Sequence, residues 1–213
     1  MRETPSRPAL RISHIVYGRA TRGTRVTYLV DPHGTGTERA IPEEVVLRRW
    51  RRRRFPGYEF SGARLSPTVW RALPALFGPD IEQWLSADAG AIDALRVTTL
   101  PALRARHLST PDPETLRALL RACGLRGIKA LIARHTSAEH QWHSGVPDLF
   151  LFATDRKGRV AIPRFVEVKK PAERISTDQT NEIRFMQSLG LHARVLILVE
   201  RSHTVTESSI ERI

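Results

Sequence analysis

The chain of 213 residues contains one cysteine, two methionines and four lysines, and only 7% of it is aromatic. A single cysteine, Cys123, cannot close an internal disulfide. That excludes a disulfide-built scaffold and fits a reducing compartment. Set among leucines, Cys123 reads as a packed core thiol rather than a nucleophile. No apolar run reaches the roughly 18 residues that a membrane-spanning helix needs. Residues 1–8 are polar and lack the apolar stretch of a secretory leader. The expected location is therefore cytoplasmic, or inside a target cell reached without a conventional signal peptide. No internal repeat or low-complexity tract is present.

Acidic residues are also scarce. Twenty-two stand against 34 basic ones, for a formal net charge of +12. Because lysine is rare, arginine supplies nearly all of the positive charge, and its planar fork suits phosphate better than a point charge does. The excess favours a polyanionic partner such as nucleic acid; the bland alternative is the arginine bias of a GC-rich genome. The densest stretch is Arg48-Arg49-Trp50-Arg51-Arg52-Arg53-Arg54. It reads either as a phosphate-contacting surface or as a solvated helix face. A hydrophobic fraction of 41% is ample for a folded chain with one sizeable core or two small ones.

Two alternating stretches, 9–17 and 24–30, predict a β-hairpin joined at 18–23. A helix is expected over about 42–54, entered at Pro42 and ended near Pro56-Gly57. Residues 66–86 look helical with interruptions at Pro74 and Gly78-Pro79, and 87–110 are ambiguous. Asp112 caps a helix from Pro113, Gly124 lies just past its end, and a second short helix covers about 126–134. These elements make an N-terminal hairpin-plus-helical region over 1–127, lending the 42–54 helix to a core over 128–213.

The chemistry concentrates in that core. Gly145-Val146-Pro147-Asp148 leads into the apolar run Leu149-Phe150-Leu151-Phe152-Ala153, which reads as a buried strand. A polar turn, 154–159, joins it to Arg164-Phe165-Val166-Glu167-Val168-Lys169. Residues two apart on a strand share a face, so Glu167 and Lys169 project together, and strand pairing brings Asp148 beside them. Two carboxylates make a hard-oxygen site suited to Mg²⁺ or Mn²⁺. A lysine beside it can orient water or hold developing negative charge. The plain alternative is a strand pair carrying an ordinary Glu167–Lys169 salt bridge.

Downstream, Ser176-Thr177-Asp178-Gln179 predicts a capping box opening a helix that Gly190 closes, and 193–199 is a further buried strand. Upstream, Glu43, Val46, Leu47 and Trp50 share one helical face, which selects Glu43 as a third acid over Glu44, with Glu59 also in reserve. Both glutamates have the alternative role of complementing the helix dipole. His135, His140 and His143 match no common zinc spacing. His143, with Arg134, reads better as facing phosphate. Trp142 reads as core, or as a base-stacking ring.

The ordered motif from His143 through Gly145-Val146-Pro147-Asp148, then Glu167-Val168-Lys169-Lys170-Pro171-Ala172-Glu173-Arg174-Ile175-Ser176, Gln179 and Leu189-Gly190, resembles the VRR-NUC domain of the PD-(D/E)XK nuclease superfamily. It is most similar to the nuclease domain of Fanconi-associated nucleases. Ile41-Pro42-Glu43-Glu44-Val45-Val46-Leu47 extends the likeness upstream. The chain departs from the pattern at Ser61, where an acid is expected, and in a shortened region over about 80–127.

The resemblance implies an α/β fold with a restriction-endonuclease-like core, a mixed sheet flanked by helices. It also implies a metal-dependent DNA nuclease, structure-selective and acting in repair or at junctions and flaps. Asp148, Glu167 and the Val168 carbonyl would hold Mg²⁺ or Mn²⁺, Glu43 would complete the shell directly or through water, and Lys169 would serve the attacking water. Gln179 matches a glutamine near the family's active site, although its capping role is sufficient by itself. Arg48, Arg51, Arg52, Arg53, Arg54, His143, Lys170 and Arg174 are the expected DNA contacts. RNA stays open as a substrate, and a homodimer is possible in this family. The alternatives are an interbacterial toxin DNase with an acidic immunity partner, and a non-catalytic nucleic-acid-binding module.

Overall fold

The computed structural model describes residues 10–17, 20–21, 26–31, 36–137 and 145–200. Its centre is a five-stranded mixed sheet built from β1 (Ile12–Tyr17), β5 (Tyr58–Arg64), β6 (Leu149–Asp155), β7 (Val160–Lys169) and β8 (Ala193–Glu200), in the order β1-β8-β7-β6-β5. β6 pairs both β5 and β7 antiparallel; β7 pairs β8 in parallel, and β8 pairs β1 in parallel. Three short strands, β2 (Ala20–Thr21), β3 (Thr27–Leu29) and β4 (Arg39–Ala40), form a separate antiparallel sheet.

Side-chain alternation divides β6 between two cores. Leu149, Leu151 and Ala153 point to the face covered by α1 (Pro42–Arg51) and the small sheet, where Tyr17, Tyr28, Val45, Val46 and Trp50 are buried. Phe150 and Phe152 point to the other face. There α2 (Val69–Phe77), α3 (Ala89–Ala105), α4 (Pro113–Thr136) and α5 (Thr177–Ser188) pack around Trp70, Leu73, Leu119 and Ile183. A strand covered on both faces has no polar side to alternate with, hence the continuous apolar sequence. Trp50 ties α1 to the sheet. Its ring is fully buried and its Nε1 donates to the carbonyls of Ser61 (2.8 Å) and Phe152 (3.0 Å).

The N-terminal hairpin is present, but its arms are β2 and β3. Residues 12–17 leave it to become an edge of the main sheet, where Ile15 and Tyr17 are buried. Alternation tells a strand's faces but not its partner, so the nearer partner had been the natural expectation. The main sheet thus takes β1 and β5 from before residue 127 and three strands from after it. The ambiguous stretch forms α3, capped by Asp88 accepting from the Ala91 amide. α4 is two helical segments joined at Gly124, which has φ 61° and ψ 173°, and Asp112 caps its start through the Thr115 amide.

Candidate active site

The site forms where β6 begins and β7 ends. The antiparallel register pairs Leu149 with Val166, so Asp148, one residue before β6, falls beside Glu167. Asp148 is held at both ends: its Oδ2 accepts the Val168 amide at 2.8 Å, and its carbonyl accepts the Leu65 amide from the end of β5, also at 2.8 Å. Glu167 and Lys169 project together, as period-two geometry requires. Both are almost inaccessible, at 3% and 4% exposure, and Lys169 Nζ lies 3.1 Å from Glu167 Oε1. A second acid, Glu173, receives the same ammonium at 3.4 Å and the Lys170 amide at 3.0 Å. The chain can fold back this far because Ala172 takes a left-handed conformation, φ 63°.

Burial sets the electrostatics. It pushes the Asp148 carboxyl up, the Val168 amide pulls it back, and the charge of Glu43 pushes it up again. Burial followed by the charge of Asp148 raises Glu167 to about 7, against the opposing pull of Lys169. Two carboxylates raised by burial, one of them further by the other's charge, are short of positive charge. Among the described residues no three carboxylate, imidazole or thiol side chains gather into a metal-binding group. The donors brought together here are the carboxylates of Asp148 and Glu167. They fit Mg²⁺ or Mn²⁺, which keep several waters and take few protein ligands, and fit poorly an ion demanding a complete protein cage.

Glu43 lies at the N-terminal end of α1, half-buried and near enough for its charge to act on Asp148. Glu44 instead accepts Arg48 Nε at 2.7 Å. Glu59 sits opposite Thr154, at the far end of β6, exposed and away from Asp148. Ser61 lies opposite Phe152. Gln179 caps α5 and also reaches Glu167. Its Oε1 accepts the Ser176 amide at 3.0 Å in a complete capping box, and its Nε2 donates to Glu167 Oε1.

The arginine run is more engaged than its density implies. Arg48 pairs with Glu44 and Glu38, Arg52 pairs with Glu38, and Arg49 donates to the Val16 carbonyl. Arg51 donates to the Gly62 carbonyl at 2.6 Å, and Arg53 stacks over Trp50 and Phe60 at 5.2 Å from each ring. The run also lies at the opposite end of α1 from Glu43, on the order of 12 Å along the axis at 1.5 Å per residue. Lys170 and Arg174 are exposed immediately after Lys169. His140, Trp142 and His143 lie outside the described residues. Arg134 does not face outward to phosphate: it donates to Glu182 Oε2 at 2.7 Å and stacks over Phe185 at 4.5 Å.

Glu182 was not legible as a site element. It is 2% exposed and also bonds His135 Nε2 at 2.8 Å, which fastens α5 to the end of α4 beneath Gln179. Its signal is position alone: one turn on from Gln179, on the inward face. Gly145 explains the first letter of the motif. A Cβ there would lie 3.0 Å from the Asp178 carbonyl and 3.0 Å from Glu182 Cβ. Gly145→Ala is expected to push α5 outward, cost about 1–3 kcal/mol as overpacking does, and loosen the Gln179–Glu167 bond. Urea unfolding measures the first effect, and an unchanged midpoint would refute the close packing.

The VRR-NUC domain model matches residues 79–197. Among solved structures, the chain is similar to crystal structures of paFAN1 bound to 5′-flap DNA with a gap. One holds a 1-nucleotide flap (16% identity, TM-score 0.53) and one a 2-nucleotide flap (17% identity, TM-score 0.53). Each match covers 95% of this chain and 40% of the paFAN1 chain, so this chain spans well under half the length of those proteins. No curated protein sequence matches. The structural likeness supports the α/β restriction-endonuclease-like fold expected from the motif.

Proposed function

Since this chain belongs to the VRR-NUC domain family, we propose that it is a Mg²⁺- or Mn²⁺-dependent DNA nuclease that selects DNA structure rather than sequence. The observation that carries the proposal is the convergence of Asp148, Glu167 and Lys169 at one buried corner of the sheet. Repair-type processing of flaps or junctions is the favoured role, in keeping with the flap DNA held by paFAN1.

In this reading, Asp148, Glu167 and the Val168 carbonyl hold the cation, and Glu43 orders water at its edge. A bound cation polarises the phosphoryl oxygen and acidifies water. Gln179 fixes the Glu167 carboxylate, leaving one oxygen directed away from its amide. Lys169, with its ammonium between Glu167 and Glu173, releases one proton donor toward the attacking water or the phosphoryl oxygen. Lys170, Arg174 and the exposed Arg51, Arg52 and Arg54 would contact the DNA backbone, where contacts position without reading sequence.

The test is cleavage of labelled single strand, duplex, 5′ flap, four-way junction and supercoiled plasmid with Mg²⁺ or Mn²⁺. Cutting confined to flaps or junctions supports the proposal. Indiscriminate plasmid degradation would move the reading to a toxin with an acidic immunity partner. Inactivity on every substrate would leave a binding module.

The pH dependence follows from Glu167. Its folded carboxyl titrates near 7, above the ordinary glutamate value of 4.5, so the folded chain holds this proton more tightly than the unfolded chain does. In the metal-free protein this group therefore favours the fold as pH falls from about 7 towards 4.5, and opposes it above 7. A cation must displace the proton, so Mn²⁺ affinity should fall about tenfold per pH unit below about 7. Calorimetric Mn²⁺ titration across that range checks it, and a flat profile would remove Glu167 from the ligand set.

A further inference from the structure

At the end of the sheet farthest from Asp148, two aromatic rings stand in solvent among arginines. Phe55 is 60% exposed and Tyr58 37% exposed, with ring centroids 5.6 Å apart. The chain of Phe55-Pro56-Gly57-Tyr58 is a tight turn closed by the Tyr58 amide on the Phe55 carbonyl at 3.1 Å. Pro56 presets its first corner, and Gly57, at φ 84°, supplies the left-handed second corner. The two rings are thus presented rigidly, at little ordering cost to a ligand.

Their surroundings are cationic. Arg54 donates to the carbonyls of Arg51, at the end of α1, and of Arg53, and remains exposed. From the β6–β7 turn, Arg156 approaches Gly57, its Nε 3.7 Å from the position of a Cβ there, and Lys157 is exposed beside it. Of the acids nearby, Asp155 is consumed by the turn, accepting the amides of Lys157 and Arg159 and the Arg159 guanidinium, Glu114 is paired with Arg117, and Glu59 is exposed. A groove of about 720 Å³ opens from Gly57 and Tyr58 toward Arg156 and the Arg117–Glu114 pair, with Glu59 and Asp155 also on its wall. Apolar rings left in water would ordinarily be buried; rings interleaved with arginines suit a ligand that alternates flat bases with phosphates.

The geometry points to a second nucleic-acid site at this tip: it binds an unpaired strand, with bases stacked on Phe55 and Tyr58 and phosphates on Arg54 and Arg156. Six residues of β6 separate Asp155 from Leu149, so the tip is about 20 Å from the acids at roughly 3.4 Å per residue. That is roughly six stacked nucleotides. The site therefore acts as a remote grip on single-stranded DNA, fixing how far along the strand the acids fall. It rests on the reading of the chain as a DNA-acting protein but not on hydrolysis.

The test is fluorescence anisotropy of a labelled oligothymidine of about 12 nucleotides with the full chain in EDTA, so that no cleavage enters. Replacing both rings, Phe55→Leu with Tyr58→Leu, keeps apolar bulk but removes the stacking faces. Affinity should fall about tenfold per ring lost. Phe55→Trp, which retains a stacking face, should bind as the parent does. Affinity for a blunt duplex should change less than about threefold in the double variant. The proposal is overturned if the double variant binds the oligonucleotide as tightly as the parent, if the parent does not bind it, or if duplex affinity falls in parallel. Because the assay runs in EDTA and reads binding alone, whereas the nuclease reading is tested by cleavage with Mg²⁺ or Mn²⁺, failure here and failure of the nuclease reading are separable.

Discussion

Asp148→Asn should lower cleavage on the order of 10³-fold or more, with little change in stability. The substitution is chosen because asparagine keeps an oxygen for the Val168 amide, which Asp148 Oδ2 now accepts at 2.8 Å. The junction of β6 and β7 therefore stays closed, and only the charge is lost. Removing a buried carboxylate charge also removes one cause of the raised Glu167 pKa, so the folded variant should be at least as stable as the parent without metal. Single-turnover cleavage and a urea midpoint together make the measurement. Retained cleavage in the folded variant would end the metal-site assignment, whereas loss of folding would show that Asp148 serves structure first.

The second large effect is on the fold. Glu182 is buried against Arg134 and His135. Burial alone would raise its carboxyl, but the bonds from His135 and Arg134 hold it below the ordinary value of 4.5. Glu182→Ala leaves the Arg134 guanidinium and the buried His135 ring without their partner and should cost about 3–5 kcal/mol. For a domain whose whole stability is about 5–15 kcal/mol that is a severe loss. A depressed carboxylate contributes stability above its unfolded pKa and loses it as pH falls through the folded one. The penalty of the variant should therefore shrink in acid below about 4.5. Urea unfolding at neutral and acidic pH measures it; a neutral-pH cost under about 1 kcal/mol would mean that water already solvates the trio.

The convergence of Asp148, Glu167 and Lys169 was readable because its determinants are local. Strand alternation places Glu167 and Lys169 on one side, and a hairpin brings Asp148 across from them, with no long-range information needed. The capping box at Ser176 and Gln179 was equally local. The fate of Arg48 was half visible, since Glu44 lies one turn before it. Its second partner, Glu38, comes from the chain entering α1, where no periodicity applies. Glu182 with His135, the contact of Gly145 with α5, and the pairing of β1 with β8 join segments remote in sequence. Nothing in either partner's own pattern names the other.

That last pairing bears on how the molecule assembles. β1 finds its ladder on residues about 180 positions later. During synthesis its ladder partner is absent until β8 has left the ribosome, so β1 is made before β5, β6 and β7 but secured after them. Ile15 and Tyr17 are apolar groups that must wait, unsatisfied, while the rest of the sheet forms. On refolding, amide protection of β1 should lag that of β6 and β7, whose hairpin closes early because its strands are neighbours. The nascent chain would meanwhile expose a sticky segment of the kind that chaperones hold.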